Sequence, residues 1–304
     1  MSGSTEAAAG GDGLRTGGPS IGVVSLTQAR RPDDLRRGLE SLLAQQGVTL
    51  DVVCVGNGAG PGDLPDGVRP LALAENVGIP AGRNLGAAEV AGDYIFFLDD
   101  DASLPSPTFL QDAVALIRED PSIGLLQPRV TDPTGKGDPR RWVPRIRKGD
   151  PGQSGDVFSV WEGATLMPRQ VFDACGGWGD VYFYAHEGIE LAWRVWAQGL
   201  RVWYAGELTA NHPNADQTRH SQYYRLNARN RVWLAKRNLP VILMPLYVGS
   251  WAAITVLRWG RRPDRLRPWF EGLRQGWAQD PGGRRPMGWR TVARMARAGR
   301  PPIV

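Results

Sequence analysis

The 304-residue sequence is 42% apolar and 22% charged, enough core for one large α/β domain with an appendage and too much for a disordered chain. Its two cysteines, Cys54 and Cys175, build no disulfide framework and lack metal-ligand spacing; Cys54, inside an apolar run, reads as a buried structural thiol. The net charge of +5 hides an asymmetry, because residues 213–304 hold 18 Lys/Arg against 4 Asp/Glu together with six of the twelve tryptophans, so that end is expected to meet an anionic surface.

Residues 1–20 are rich in Gly, Ala and Ser and lack the apolar stretch of a signal peptide, so they are expected to form a disordered leader in a cytoplasmic, reducing setting. Residues 21–27, apolar and β-branched, predict a buried strand. Pro32, Asp33 and Asp34 open a helix, Leu35, Leu39, Leu42 and Leu43 line one face of it, and Gly47 stops it. Strands follow at 51–55 and 68–73, then a turn at 76–78, a helix over 80–91 and a fourth strand over 93–98. This alternation predicts a parallel sheet covered on both faces, with ligands beyond the carboxyl ends of its strands. Over 124–161, Arg129, Arg140, Arg141, Arg145 and Arg147 alternate with apolar residues and suggest a strand-containing excursion. Helical spacing returns over 187–198, a strand-like run over 201–204, and a basic-faced helix over 221–237. Residues 239–257 then run nineteen positions without a charge.

The strongest chemical signal is Phe96-Phe97-Leu98-Asp99-Asp100-Asp101. An apolar strand ending in carboxylates sets hard oxygen ligands over the crevice, and Asp99 and Asp101, two apart, can converge on one divalent cation. A solvated acidic turn is the plainer alternative. Two further strings weigh against that: Glu75-Asn76-Val77-Gly78-Ile79-Pro80-Ala81-Gly82-Arg83-Asn84 upstream, and Gly176-Gly177-Trp178-Gly179-Asp180 with Phe183-Tyr184-Ala185-His186-Glu187-Gly188-Ile189-Glu190-Leu191-Ala192-Trp193-Arg194 downstream.

In this order the strings closely resemble family 2 glycosyltransferases of the GT-A fold, over about residues 21–230. The resemblance implies an α/β, Rossmann-like, mostly parallel sheet flanked by helices, to which this sequence adds a basic helical C-terminal extension. It implies a nucleotide-sugar donor and Mg²⁺ or Mn²⁺ held by Asp99, Asp101 and His212 against the diphosphate. Thr27, Asn57, Asn76, Arg83, Asn84, Asp99 and Asp100 are expected on the donor side, and Trp161, Glu162, Gly163 and Trp178 on the acceptor side. The sequence departs from the family at Gly188, where an Asp usually serves as general base; Glu187 and Glu190 are the available substitutes, and Glu187 is the expected base. It departs again at Gly56, in place of an Asp that helps hold the nucleotide base, which leaves the nucleotide open.

The expected function is a metal-dependent, inverting transfer of sugar to a polysaccharide or lipid-linked glycan acceptor of the cell envelope. One alternative is a catalytically altered sugar-nucleotide-binding protein. Another is a haloacid-dehalogenase-type phosphatase, whose D-x-D motif belongs on a first strand rather than after three others. No helix-turn-helix or zinc pattern points to nucleic acid. The expected organisation is a leader (1–20), a catalytic domain (21–237) and a basic Trp-rich extension (238–304). Pro240, Pro245, Gly249 and Ser250 weaken 239–257 as a membrane span. The segment is expected instead to lie peripherally on the cytoplasmic membrane face, with Trp251, Trp259 and Trp269 at headgroup depth and arginines on anionic lipid.

Overall fold

The computed structural model describes residues 18–144, 150–214 and 221–303. The alternating pattern builds β1 (Ser20–Thr27), α1 (Pro32–Leu43), β2 (Thr49–Asn57), β3 (Val68–Leu73), α2 (Ile79–Ala88) and β4 (Tyr94–Asp99). The middle of the chain adds α3 (Phe109–Glu119), β5 (Ile123–Thr131), β6 (Gly155–Asp156), β7 (Ala164–Pro168), α4 (Arg169–Cys175), α5 (Glu187–Ala197) and β8 (Arg201–Asn211). Four helices close the chain: α6 (Ser221–Asn238), α7 (Leu243–Trp259), α8 (Pro263–Ala278) and α9 (Trp289–Arg297).

The eight strands form one sheet in the order β3-β2-β1-β4-β7-β5-β8-β6. β1–β4, β5 and β8 run one way, while β6 and β7 run against them. Along β2, Val53 and Val55 enter one buried layer and Val52 and Cys54 the other, so the sheet is covered on both faces. Cys54 is fully buried, and desolvation pushes its thiol up to about 12.

Several expectations shift. Residues 1–17 of the expected leader lie outside the described residues, but Ser20 already belongs to β1. Arg145 and Arg147 also lie outside them; the rest of the excursion begins with most of β5, including Arg129, and then holds a 3-10 turn at Arg140–Trp142 and the two-residue β6. The strand foreseen over 201–204 continues to Asn211 through a bulge: β5 residues Pro128 and Arg129 pair with Ala205 and Thr209, so 206–208 loop out.

The uncharged run is not one helix, because α7 starts only at Leu243. No helix among the described residues is long and apolar enough to cross a membrane. Helix α8 packs closely on α6 because it carries glycines at the contact: a Cβ at Gly272 would fall 2.9 Å from Arg225 Cα, and one at Gly276 2.8 Å from Val232 Cβ. Trp269, on that same face, is 1% exposed and packs on Tyr224 and Ala228, so it cannot sit at headgroup depth as expected. Trp251 is half-buried under Arg231, and Trp259 lies edge-on to Tyr224. The exposed large apolar side chains of this extension, among the described residues, are instead Val241, Ile242, Leu246, Val256, Leu257, Phe270, Trp277 and Trp289.

Candidate functional site

Strand β4 delivers its acids at the carboxyl edge of the sheet. The Asp99 N–H donates to the Gly163 carbonyl (2.9 Å), and a Cβ at 163 would fall 2.6 Å from Asp99 Oδ2, so only glycine lets that loop close on the acid. From the far side of the sheet, the β8 bulge sets Asn211 against Ser103, with mutual N–H to carbonyl bonds of 2.8 and 3.0 Å. The next residue, His212, donates its N–H to the Thr131 carbonyl and places Nε2 3.0 Å from Asp101 Oδ1. Donor atoms of Asp99, Asp101 and His212 thereby lie within 4.8 Å of one another.

Electrostatics bind this cluster together. Burial works against the Asp101 charge, but the His212 hydrogen bond and charge, with Arg31, outweigh it and hold the carboxyl below the usual range. Burial likewise works against the His212 cation, and the bond to Asp101 prevails, raising it. Asp100 is raised, chiefly by burial, although Arg31 Nη2 (2.6 Å) and Thr27 Oγ1 (2.7 Å) both donate to it. Arg31 also bonds Asp101 through Nη1, so one guanidinium clamps two acids.

In front of the acids opens a crevice of about 690 Å³, lined by Thr27, Arg31, Asn57, Asn76, Asp99 and Asp100 and closed by Tyr184, Gln222 and Tyr223. Asn57 and Asn76 face it while bracing the 76–78 turn. Asn57 donates to the Gly78 carbonyl and accepts from the Val77 N–H, and Asn76 accepts from the Gly78 N–H. The loop entering α5 is strained, with Phe183, Ala185 and His186 all at left-handed φ of 64–78°. Asn230 of α6 holds it by donating to the carbonyls of Tyr182, Tyr184 and Ala185 at 2.7–3.1 Å.

A second acidic group lies behind Asp99. Buried Arg83 donates to Asp99 Oδ1 (2.6 Å) and lies over the Trp178 ring at 5.0 Å. Glu162 accepts the Gly188 N–H on Oε1 (2.9 Å), and its carboxyl is raised by burial, against Arg83. Glu187 is 3% exposed, and its Oε2 has no hydrogen-bond partner among the described residues. Burial first, and then the charge of Glu162, push its carboxyl up to about 8.

Three expected site residues point elsewhere. Glu190 is fully buried and already filled, by Arg237 Nε and Asn238 Nδ2 (each 2.7 Å to Oε1) and Arg194 (3.0 Å to Oε2), so it is no candidate base. Asn84 spends its amide on the Trp178 backbone, 2.9 Å in both directions, and not on a donor. Trp178 is core, 1% exposed and edge-on to Phe97, so no sugar can stack on it. Trp161 remains half-buried beside His212, 4.9 Å between centroids. Sequence reasoning missed Arg31, Tyr184, Tyr223 and Asn230; only the Arg30-Arg31 pair directly after β1 gave a hint.

The family model of glycosyl transferase family 2 matches residues 23–176, half of the chain. The chain belongs to this family. This family 2 glycosyltransferase is 25% identical over 256 residues to the O-antigen biosynthesis protein RfbC of Myxococcus xanthus. The match takes 74% of the chain but only 20% of RfbC, so the glycosyltransferase spans about a fifth of that relative's length. Two solved structures share its fold, a mainly parallel GT-A sheet flanked by helices. S. aureus TarS 1-349, in complex with UDP-GlcNAc, is 12% identical over 90% of the chain and 83% of its own, with TM-score 0.59. The Pyrobaculum calidifontis mannosyltransferase PcManGT, in complex with GDP-Man and Mn²⁺, is 15% identical over 95% and 78%, with TM-score 0.54. Family membership removes the phosphatase alternative.

Proposed function

We propose that this glycosyltransferase moves a sugar from a nucleoside-diphosphate donor, with inversion and with Mg²⁺ or Mn²⁺, to a glycan or lipid-linked acceptor of the cell envelope. The observation that carries this reading is the Asp99–Asp101–His212 group at the head of the crevice, with the buried pair Glu162 and Glu187 beside it. Two carboxylates and an imidazole suit a hard or borderline divalent cation, and the His212 ring is held with Nε2 toward Asp101 by edge-on packing against Trp142 and Trp161. Support for the donor class comes from the folds that hold UDP-GlcNAc and GDP-Man with Mn²⁺, and for the acceptor from the O-antigen relative.

When bound, the cation neutralises charge building on the diphosphate leaving group. The chain supplies the rest. Thr27 keeps Asp100 oriented toward the crevice, and Arg31 is placed to pass a hydrogen bond from the acids to a diphosphate oxygen. Tyr184 and Tyr223 exclude water from the donor. A carboxylate of the Glu162–Glu187 pair takes the acceptor proton while the acceptor oxygen bonds the anomeric carbon from the face opposite the leaving diphosphate. A sugar-nucleotide panel screened for thermal stabilisation with Mn²⁺ tests the reading. At least one donor is expected to raise Tm in wild type and not in Asp101→Ala; an equal rise in both would remove the metal assignment.

In this reading 21–237 is the catalytic unit and 238–304 rests peripherally on the cytoplasmic membrane face. The apolar side chains exposed on α7 and α8, interspersed with Arg258, Arg261, Arg262, Arg267 and Arg274, fit an anionic bilayer surface better than a lone hydrophobic partner. The 304-residue chain should float with anionic vesicles and release at high salt; failure to float ends this part of the proposal.

A further inference from the structure

We propose that Glu162, rather than Glu187, is the general base, its carboxylate occupying the space that a side chain on residue 188 would otherwise fill. This deepens the sugar-transfer reading and rests on it.

The geometry begins with a glycine. Gly188 is the second residue of α5, and a Cβ built there would fall 2.7 Å from both Cγ and Cδ of Glu162. The absent side chain and the present one compete for a single volume. Glu162, coming from the loop before β7, has taken it, so a carboxylate still stands over the first turn of α5.

Two features distinguish this carboxylate from its neighbour. Its Oε1 accepts the Gly188 N–H at 2.9 Å, one of the free donors at the positive end of a helix, which stabilises a negative charge. Glu187 starts the same helix, yet its Oε2 has no partner among the described residues. Glu162 also adjoins the metal-candidate acid through the chain: the next residue, Gly163, accepts the Asp99 N–H at 2.9 Å. We assign the proton transfer to the oxygen not tied to the helix, Oε2.

The step balances. The acceptor hydroxyl gives its proton to Glu162 Oε2, its oxygen forms the bond to the anomeric carbon, and the bond from that carbon to the diphosphate oxygen breaks. The nucleoside diphosphate leaves with the electron pair, and the proton on Glu162 passes to solvent before the next turnover. Arg83, between Asp99 and Trp178, keeps a cation near this exchange without contributing a proton.

The test swaps the origin of the carboxylate. Release of nucleoside diphosphate is followed from UDP-, GDP- and dTDP-sugars with MnCl₂, both with water alone as acceptor and with added mono-, oligosaccharide and polyprenyl-phosphate-linked glycan acceptors, and melting curves accompany each variant. E162Q is expected to slow release by roughly 10²–10⁴-fold, with donor KM unchanged, because Gln still accepts the Gly188 N–H but has no basicity. E162A should fall equally far. E162A/G188D, which empties the volume and refills it from α5, should regain at least about tenfold over E162A, a non-additivity expected only of residues sharing one role. E187Q should fall less than E162Q. The proposal is overturned if E162Q keeps wild-type rates, if E187Q loses more than E162Q, or if the double variant regains nothing. A wild type that releases nothing from any donor overturns the sugar-transfer reading itself, and the proposal with it.

Discussion

Glu187 and Glu190 lie three residues apart on α5, both buried, yet they live in opposite surroundings. Glu190 is met by two guanidiniums and an amide, within 2.7–3.0 Å. Glu187 faces another carboxylate across the site, and its Oε2 finds no donor among the described residues. The first arrangement joins α5 to α6; the second stores an electrostatic cost beside the crevice. Burial alone therefore separates nothing, whereas the completeness of pairing separates an acid that fastens two helices from one whose charge is disfavoured beside the site.

The contrast can be broken most forcefully at Glu190. Glu190→Ala leaves Arg237 and Arg194 without their carboxylate, and breaking such a buried pair is expected to cost about 3–5 kcal/mol in urea unfolding. A loss under about 1 kcal/mol would show that the network holds nothing together.

Glu187 should behave the other way. Its folded carboxyl titrates near 8, above its ordinary 4.5, so the folded state binds the proton more tightly than the unfolded chain does. The stabilisation is complete below about pH 4.5 and is lost as pH rises toward 8. At about 1.4 kcal/mol per unit, the shift from 4.5 to about 8 makes the loss on the order of 5 kcal/mol. Glu187→Gln should remove most of that slope and melt higher than wild type at pH 8; parallel pH profiles for the two proteins would refute the assignment.

The smallest effect sharpens the comparison at the next polar side chain whose bonds are complete. Asn84→Ala should cost about 1–3 kcal/mol, because the Trp178 backbone loses both partners. Donor-induced stabilisation with Mn²⁺ should persist. Its disappearance would return Asn84 to the donor side.

Much of this was legible in the sequence. The apolar run of β4 and its acids announce themselves locally, and so does α1, whose buried Leu35, Leu39 and Leu42 keep one helical period. What escaped depends on partners far apart in the chain. Glu162 was readable only as part of the acceptor wall, since its bond to Gly188 crosses 26 residues. Arg31 carries no pattern of its own, and its clamp on Asp100 and Asp101 exists only once β1 and β4 lie side by side. In α8, tryptophans and arginines together suggested lipid contact for Trp269. The spacing of Trp269, Gly272, Leu273 and Gly276 on one helical face was the better signal, because two glycines there announce another helix.

The bulge in β8 carries a last consequence. Side chains alternate faces along a strand, so a shift of one position exchanges the two sides. Strand β8 keeps its pairing with β5 on both sides of 206–208, and those three looped residues alone decide which side chain arrives opposite Asp101. The number of residues in that loop thus works as an address: their identities can drift, but a length changed by one would deliver a neighbour of His212 to the acids and turn the imidazole away.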